Sequence, residues 1–503
     1  MLKKKYKKKF IEKTVALLVP ILFLFSGCSS TSQNTASKSN NKEIIYGIQT
    51  EPNSLDPYKA STADGRKILF NVFEGLVKVD KDGSFKNAVS ESHTVSDDGT
   101  TYSFKIRKNV KFHNGKKVTA EDVKYSLDTA ISNKVKGFDI VKNVNVKDEN
   151  VVEINLKRAD ANFIAYLTTA IVPKDYNNQA KKPVGTGPYK FKSFTPQESL
   201  VLEKNNDYWQ SNGAKLQKVT FKLESDTNAL LLDLQSGSID AASVDNSTVS
   251  QLDKSQFNIY EEHSNAVQQL NLNNKFKPFD NVKVRQAVSY AVDKKEIIKT
   301  VNSGKGTAVG TPIIPGLKKY YDDSLTYKYK KDVSKAKSLL KEAGYENGFS
   351  FTITVPSNYK VHVDTAQVIV SQLKNIGINA AIKQVDWPTW LSNVYTNKNY
   401  EATIVSFDSS VLAPNGFLGR YVTGASNNFL NYSNEKFDSV YQKATIELDE
   451  KNRVKLYKDA QKILAEDAAS VYIQDISDIT VMKKQYSGFT SYPMYVFDAA
   501  AIK

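Results

Sequence analysis

Side chains able to do chemistry are few and scattered in this chain of 503 residues. Its four histidines, His93, His113, His263 and His362, fall at no spacing that brings two of them onto one metal ion from a helix or a turn. The single cysteine, Cys28, sits near the N-terminus, so no disulfide framework, thiolate metal cluster or thiol nucleophile is available to the rest of the chain. There is no G-x-S-x-G elbow and no phosphate-binding loop. The run Gly304-Lys305-Gly306-Thr307-Ala308-Val309 misses the dinucleotide pattern because Val309 stands at the third glycine's place. The sequence predicts no catalytic residues, no metal and no cofactor.

The chemistry that Cys28 does offer is acylation. It follows a basic stretch (Lys3, Lys4, Lys5, Lys7, Lys8, Lys9), an apolar run from Val15 to Phe25, and Ser26-Gly27. Basic, apolar and small-residue parts in that order make an export signal over residues 1–27, and the apolar run falls short of the ~20 residues that span a bilayer. The Ser-Gly-Cys end resembles the lipobox of bacterial lipoproteins, with Phe25 where Leu is usual. That resemblance implies lipidation of Cys28 and attachment to the outer face of the bacterial cell membrane. Residues 28–42, rich in Ser, Thr, Asn and Lys, read as a flexible tether. Six of the fifteen net positive charges leave with residues 1–27, which hold seven Lys and one Glu. The remaining +9 is interleaved with acids along the chain, the pattern of a solvated surface rather than a nucleic-acid stripe.

Ile44–Ile48 reads as a first strand, and Tyr102–Arg107 alternates apolar and polar after the turn Ser96–Gly99. Thr119 with Asp122 forms a capping-box variant ahead of Val123, Leu127 and Ala130 at helical spacing. Val144–Val146 and Val151–Leu156 suggest a hairpin. Val219–Leu223 alternates, and Asn228–Ser236 is a helix closed by Gly237. A helix follows Pro278-Phe279-Asp280-Asn281, and another opens at Asp332 and stops at Gly344. Strand Phe349–Val355, helix Asp364–Ile376 and strand Ile378–Val385 form a parallel β-α-β unit. A long helix spans about Asn452–Asp467, and a return strand begins at Val471. The length calls for two or more lobes.

Five short motifs occur in order: Ser54-Leu55-Asp56-Pro57; Val110-Lys111-Phe112-His113-Asn114-Gly115; Thr119-Ala120-Glu121-Asp122-Val123; Gly185-Thr186-Gly187-Pro188-Tyr189; and Asn281-Val282-Lys283-Val284-Arg285-Gln286-Ala287. Together they resemble the oligopeptide-, dipeptide- and nickel-binding family of ABC-transporter solute-binding lipoproteins. The resemblance implies an α/β, two-lobed periplasmic-binding-protein-like fold with mixed sheets and a hinge between the lobes. It makes the first lobe discontinuous: residues 43–272 with 480–503, carrying a subdomain inserted at about 60–185, against 273–479 for the second. It also implies a monomer that captures a small solute, a short peptide first of all, and hands it to membrane permease subunits without performing chemistry. The motifs themselves read as helix caps, turns and a helix anchor at Arg285.

The ligand-facing segments are expected elsewhere. Trp387-Pro388-Thr389-Trp390 follows a parallel strand, at whose carboxyl end open α/β sheets bind ligands, so Trp387 and Trp390 are candidate contacts. The second segment is Ser406–Pro414. Peptide-binding relatives resemble W-x-x-D followed by Pro four residues later, the Asp pairing with the peptide amine. Here Phe407 stands for the Trp and Ser410 for the Asp, with Asp408 as the nearby acid able to substitute. A receptor for a metal chelate or an opine-like solute, and a peptide-sensing or adhesion lipoprotein, stay open as alternatives.

Overall fold

A computed structural model of the chain describes residues 42–503, apart from Asn212 and Ser410. The expectations for residues 1–27, for the tether up to residue 41, for Cys28 and for Ser410 lie outside the described residues.

Alternation builds a four-stranded antiparallel sheet from Ser90–Val95, Thr101–Ile106, Val141–Asp148 and Val151–Leu156. Tyr102 and Phe104 face Ile154 and Val152 across the ladder, and all four are buried. Helix Ala120–Ser132 covers this sheet with Val123, Leu127 and Ala130. Its start is the expected capping box: Thr119 Oγ1 accepts from the Asp122 amide and Asp122 Oδ2 accepts from the Thr119 amide at 3.0 Å. Val411 and Ala413, far along the chain, are buried in the same apolar cluster.

The main sheet has eleven strands. At one end Glu43–Ile48, Lys218–Leu223, Ser199–Lys204 and Tyr189–Thr195 lie side by side; at the other lie Ala402–Asp408, Ser350–Pro356 and Asn379–Val385. Two long strands join the ends. Phe257–Leu272 pairs through Phe257–His263 with Ser477–Lys483, and through Ala266–Leu272 with Ala402–Asp408. Val471–Lys483 reaches the first group through strand Ala241–Val244. A bulge at Ser264–Ala266 interrupts the pairing between the two long strands at their midpoint.

The β-α-β unit forms as expected, Ser350–Pro356 running parallel to Asn379–Val385. Its helix, Lys360–Lys374, starts four residues before Asp364. That extra turn presents no apolar stripe; it is held by a Lys360–Asp364 ion pair at 2.7 Å and by His362, whose Nδ1 lies 2.9 Å from Gln268 Nε2. Asn281 and Asp332 cap the helices they were expected to open. Arg285 donates to the Asp467 and Phe279 carbonyls at 2.9 and 2.8 Å, tying helix Val282–Ala291 to the end of helix Glu450–Glu466. No described helix is long and apolar enough to cross a membrane.

Candidate functional site

Strands Ser350–Pro356, Asn379–Val385 and Ala402–Asp408 are mutually parallel, so their carboxyl ends share one edge of the sheet. Chain leaves that edge at Tyr359, at Trp387 and at Phe407–Asp408. The neighbouring long strand runs antiparallel and brings its bulge to the same edge, Ala266 pairing with Asp408. Asp475 of the last long strand lies beside the bulge. This edge gathers the two expected segments next to the strands that join the two ends of the sheet.

Each expected residue has a definite place. Trp387 is 36% exposed and stacks on Trp390 at 5.0 Å and 11°, with Tyr359 edge-on at 5.5 Å. Trp390 is 2% exposed, packs among Val394, Val405 and Phe429, and donates its indole N–H to Thr403 Oγ1 at 2.9 Å. Phe407 continues the aromatic wall, 5.2 Å from Phe429. Asp408 is exposed at the strand tip, and its carboxylate takes no hydrogen bond or ion pair from the described residues; its carbonyl accepts from Arg420 Nη2 at 3.1 Å. The Arg420 guanidinium lies 4.2 Å over the Phe407 ring.

Several groups were not foreseen. Glu262 and Asp478 oppose each other across the long strands. Burial raises both carboxyls above their ordinary values, Glu262 to about 7, although Ser491 and Thr480 bond to it. On the other face Asp475 is fully buried; Ser264 Oγ donates to it at 2.7 Å and His263 Nδ1 stands 3.4 Å away. Burial raises Asp475, and its bond to Asp475 raises His263 in turn. Lys67 comes from helix Ala63–Leu69, bonded to Asp64 at 3.3 Å and Ser243 at 3.1 Å. Burial pulls its ammonium down, but Tyr46, Asp64 and Asp478 hold it above its ordinary value. Tyr495 stands among these elements: burial raises its phenol, and Asp478, Asp408 and Asp475 raise it further. The only signal in the sequence was acids and His263 breaking strands otherwise rich in apolar residues. Arg420 carried none.

The motif residues sit away from this edge. His113 accepts from the Gly185 amide at 3.3 Å on Nδ1 and bonds the Gly187 carbonyl at 3.0 Å through Nε2, which fixes the Nε2–H tautomer. Burial lowers it to about 4, so it is neutral at physiological pH. A Cβ on Gly185 would collide with the Val72 carbonyl oxygen. Among the described residues no group of three His, Cys, Asp or Glu is placed to hold a metal ion.

Residues 84–429 match the family described as "Bacterial extracellular solute-binding proteins, family 5 Middle". The glutathione-binding protein GsiB of Salmonella typhimurium (strain LT2) is 30% identical over 489 residues, covering 92% of this chain and 95% of GsiB. Among solved structures, the ABC-transporter substrate-binding protein CtaP from Listeria monocytogenes superposes with a TM-score of 0.82 at 26% identity, over 92% of this chain and 98% of CtaP. The oligopeptide-binding protein AppA from Bacillus subtilis, in complex with a nonapeptide, gives 0.72 at 26% identity, over 92% and 98%.

Proposed function

The chain belongs to family 5 of the bacterial extracellular solute-binding proteins, the substrate-binding components of ABC transporters, and from that premise we propose that it captures a short peptide at the strand edge just described. The observation that carries this reading is the exposed carboxylate of Asp408, without a partner among the described residues, at a strand tip walled by aromatic rings. A peptide amine meets the carboxylate, while Phe407 and Trp387 give flat apolar surface to varied side chains. Trp390 backs Trp387, and Ser410 is the neutral residue that the sequence offers at the relatives' Asp position. Similarity to a glutathione-binding protein and to AppA, which holds a nonapeptide, supports a peptide as the solute. The lobes are residues 43–272 with 480–503 and residues 273–479, with the subdomain at about 60–185 inserted in the first; they close about the long strands as a hinge.

The protein performs no turnover: capture and delivery to the permease are its work. Lipid on Cys28 holds a monomer at the outer face of the membrane. Native mass spectrometry of the purified protein, followed by calorimetric titration of the peptide found, tests the ligand. A co-purifying opine or metal chelate, with no heat from any peptide, overturns the peptide reading. Cys28→Ala should move the protein from the membrane fraction to the medium; a variant that stays in the membrane fraction overturns the anchor.

A further inference from the structure

The ladder between the two long strands breaks where they pass from one end of the sheet to the other. His263 pairs with Ser477 and Val267 with Asp475, and Ser264–Ala266 between them have no partner on strand Val471–Lys483. Two side chains reach across the gap to Asp475: Ser264 Oγ donates to Oδ1 at 2.7 Å, and His263 Nδ1 stands 3.4 Å from Oδ2. Asp475 is fully buried and its Oδ2 takes no hydrogen bond from the described residues, while the His263 side chain is 46% exposed. A carboxylate shut away from water with one oxygen unmet is costly unless a cation faces it. Among the described residues His263 is the only basic side chain within ion-pairing distance, and an imidazole gains and loses its charge near neutral pH. The other charges around the pair come from several elements. Lys318 opposes the charge of His263, and Asp478, on the far face of the strands with Glu262, opposes that of Asp475. Lys305 engages Glu261, the phenols of Tyr321 and Tyr495 are held neutral by burial, and strand Gly306–Ala308 beside Asp475 has no ionisable side chain.

We propose that His263 and Asp475 form a proton-operated latch on the hinge: with His263 protonated an ion pair ties the strands across the bulge, and with His263 neutral the bulge flexes and the lobes swing. The proposal rests on the reading of the long strands as a hinge. On the lobe boundaries given above, His263 belongs to the first lobe and Asp475 to the second, so this contact crosses between them. At a bulge the backbone ladder is missing, and side-chain contacts carry the connection in its place. The bond to Asp475 raises the imidazole above its ordinary value, so the latch holds below that raised value and is lost as pH rises through it. Burial lifts Asp475 to about 6, which sets the lower end of the window, since the carboxylate must be ionised to pair.

Hydrogen exchange and small-angle X-ray scattering at about pH 6.5 and about pH 8.5, on either side of an imidazole's titration, test this. The measurements use a Glu262→Gln background, because Glu262 titrates in the same range on the other face of the strands. Protection of the amides at 264–267 and 475–477, corrected for the intrinsic exchange rate, should fall by up to about tenfold from the lower pH to the higher, the factor that one pKa unit carries. The radius of gyration should shift with it. His263→Gln and Asp475→Asn should each remove both responses, and His263→Gln, at a half-exposed side chain, serves if Asp475→Asn does not fold. Protection that falls equally in His263→Gln, or that does not fall in the background protein, overturns the latch. A fall in protection with unchanged scattering makes the pair a local staple and overturns the switch. Peptide capture at Asp408 stands after either result, because peptide titration tests it separately.

Discussion

Glu74 and Asp408 are both carboxylates beside an aromatic ring that carries an arginine on its face, and the two corners behave differently. Glu74 is 5% exposed and saturated: Tyr208 OH, Trp209 Nε1 and Thr186 Oγ1 donate to it at 2.7, 2.8 and 3.3 Å, and Lys78 pairs with it at 3.3 Å. Arg107 lies 4.6 Å over Trp209 and gives its Nε to the Ala88 carbonyl. At the other corner Arg420 lies 4.2 Å over Phe407 while the Asp408 carboxylate has no described partner. Saturation marks a joint that holds the fold. The Asp408 carboxylate is exposed at a strand tip, where water solvates it, so it can exchange that water for a solute's amine without disturbing the fold.

The comparison is sharpest under truncation. Glu74→Ala strands three donors and a lysine in a buried corner and should cost about 3 kcal/mol of stability, read as a lower urea midpoint, with solute affinity of the folded protein unchanged. Loss of affinity without loss of stability would break the distinction from that side.

Asp408→Asn should do the reverse: stability held within about 0.5 kcal/mol, as for an exposed site, and peptide affinity weakened by roughly 10- to 100-fold, the worth of a charge-assisted hydrogen bond. Ser410→Ala should matter less, since only a neutral partner is removed. Titration calorimetry of both decides it, and equal affinity in Asp408→Asn and the parent would place the solute's amine elsewhere.

The long strands add a pH test between these extremes. Burial keeps Glu262 neutral up to about pH 7, against an ordinary value of 4.5. Between those values the native state holds a proton that the unfolded chain has lost, so this group's contribution falls as pH rises through the window, and the cost of the buried charge is complete above it. Glu262→Gln should leave stability near pH 4 unchanged and raise it by about 1–2 kcal/mol at pH 8, after discounting for partial exposure. Parent-like melting at pH 8 would mean that Lys67 and Ser491 already neutralise the carboxylate.

The smallest effect concerns the indoles. In a Trp209→Phe background, solute should shift emission and reduce quencher access at Trp387, while Trp390 stays inaccessible throughout. Trp387→Ala should weaken binding only several-fold, the size expected of one face of a partly exposed ring. No change in emission or quenching would make both indoles part of the core.

Local patterning carried much of the fold. Caps at Thr119, Asn281 and Asp332, alternation in Thr101–Ile106, and the β-α-β periodicity around residues 350–385 are local events, decided within a few residues, and each appears where the spacing put it. The extra turn at Lys360 escaped because it rests on Gln268, far away in sequence.

The site was legible only at its strand ends. Parallel order in the sheet could be read from strand–helix–strand length, and that places Trp387 at a carboxyl edge; Asp408 was pointed to by the family resemblance alone, and only the sheet pairing puts it at the same edge. The side of Trp387 that faces solvent, the burial of Trp390, the opposition of Glu262 to Asp478 and the guanidinium of Arg420 beside Asp408 depend on register and long-range packing. Sequence spacing sets which residues share a face of one element. The pairing of elements distant in the chain decides which charges are satisfied, and so which corner of this molecule is structure and which is left open for a solute.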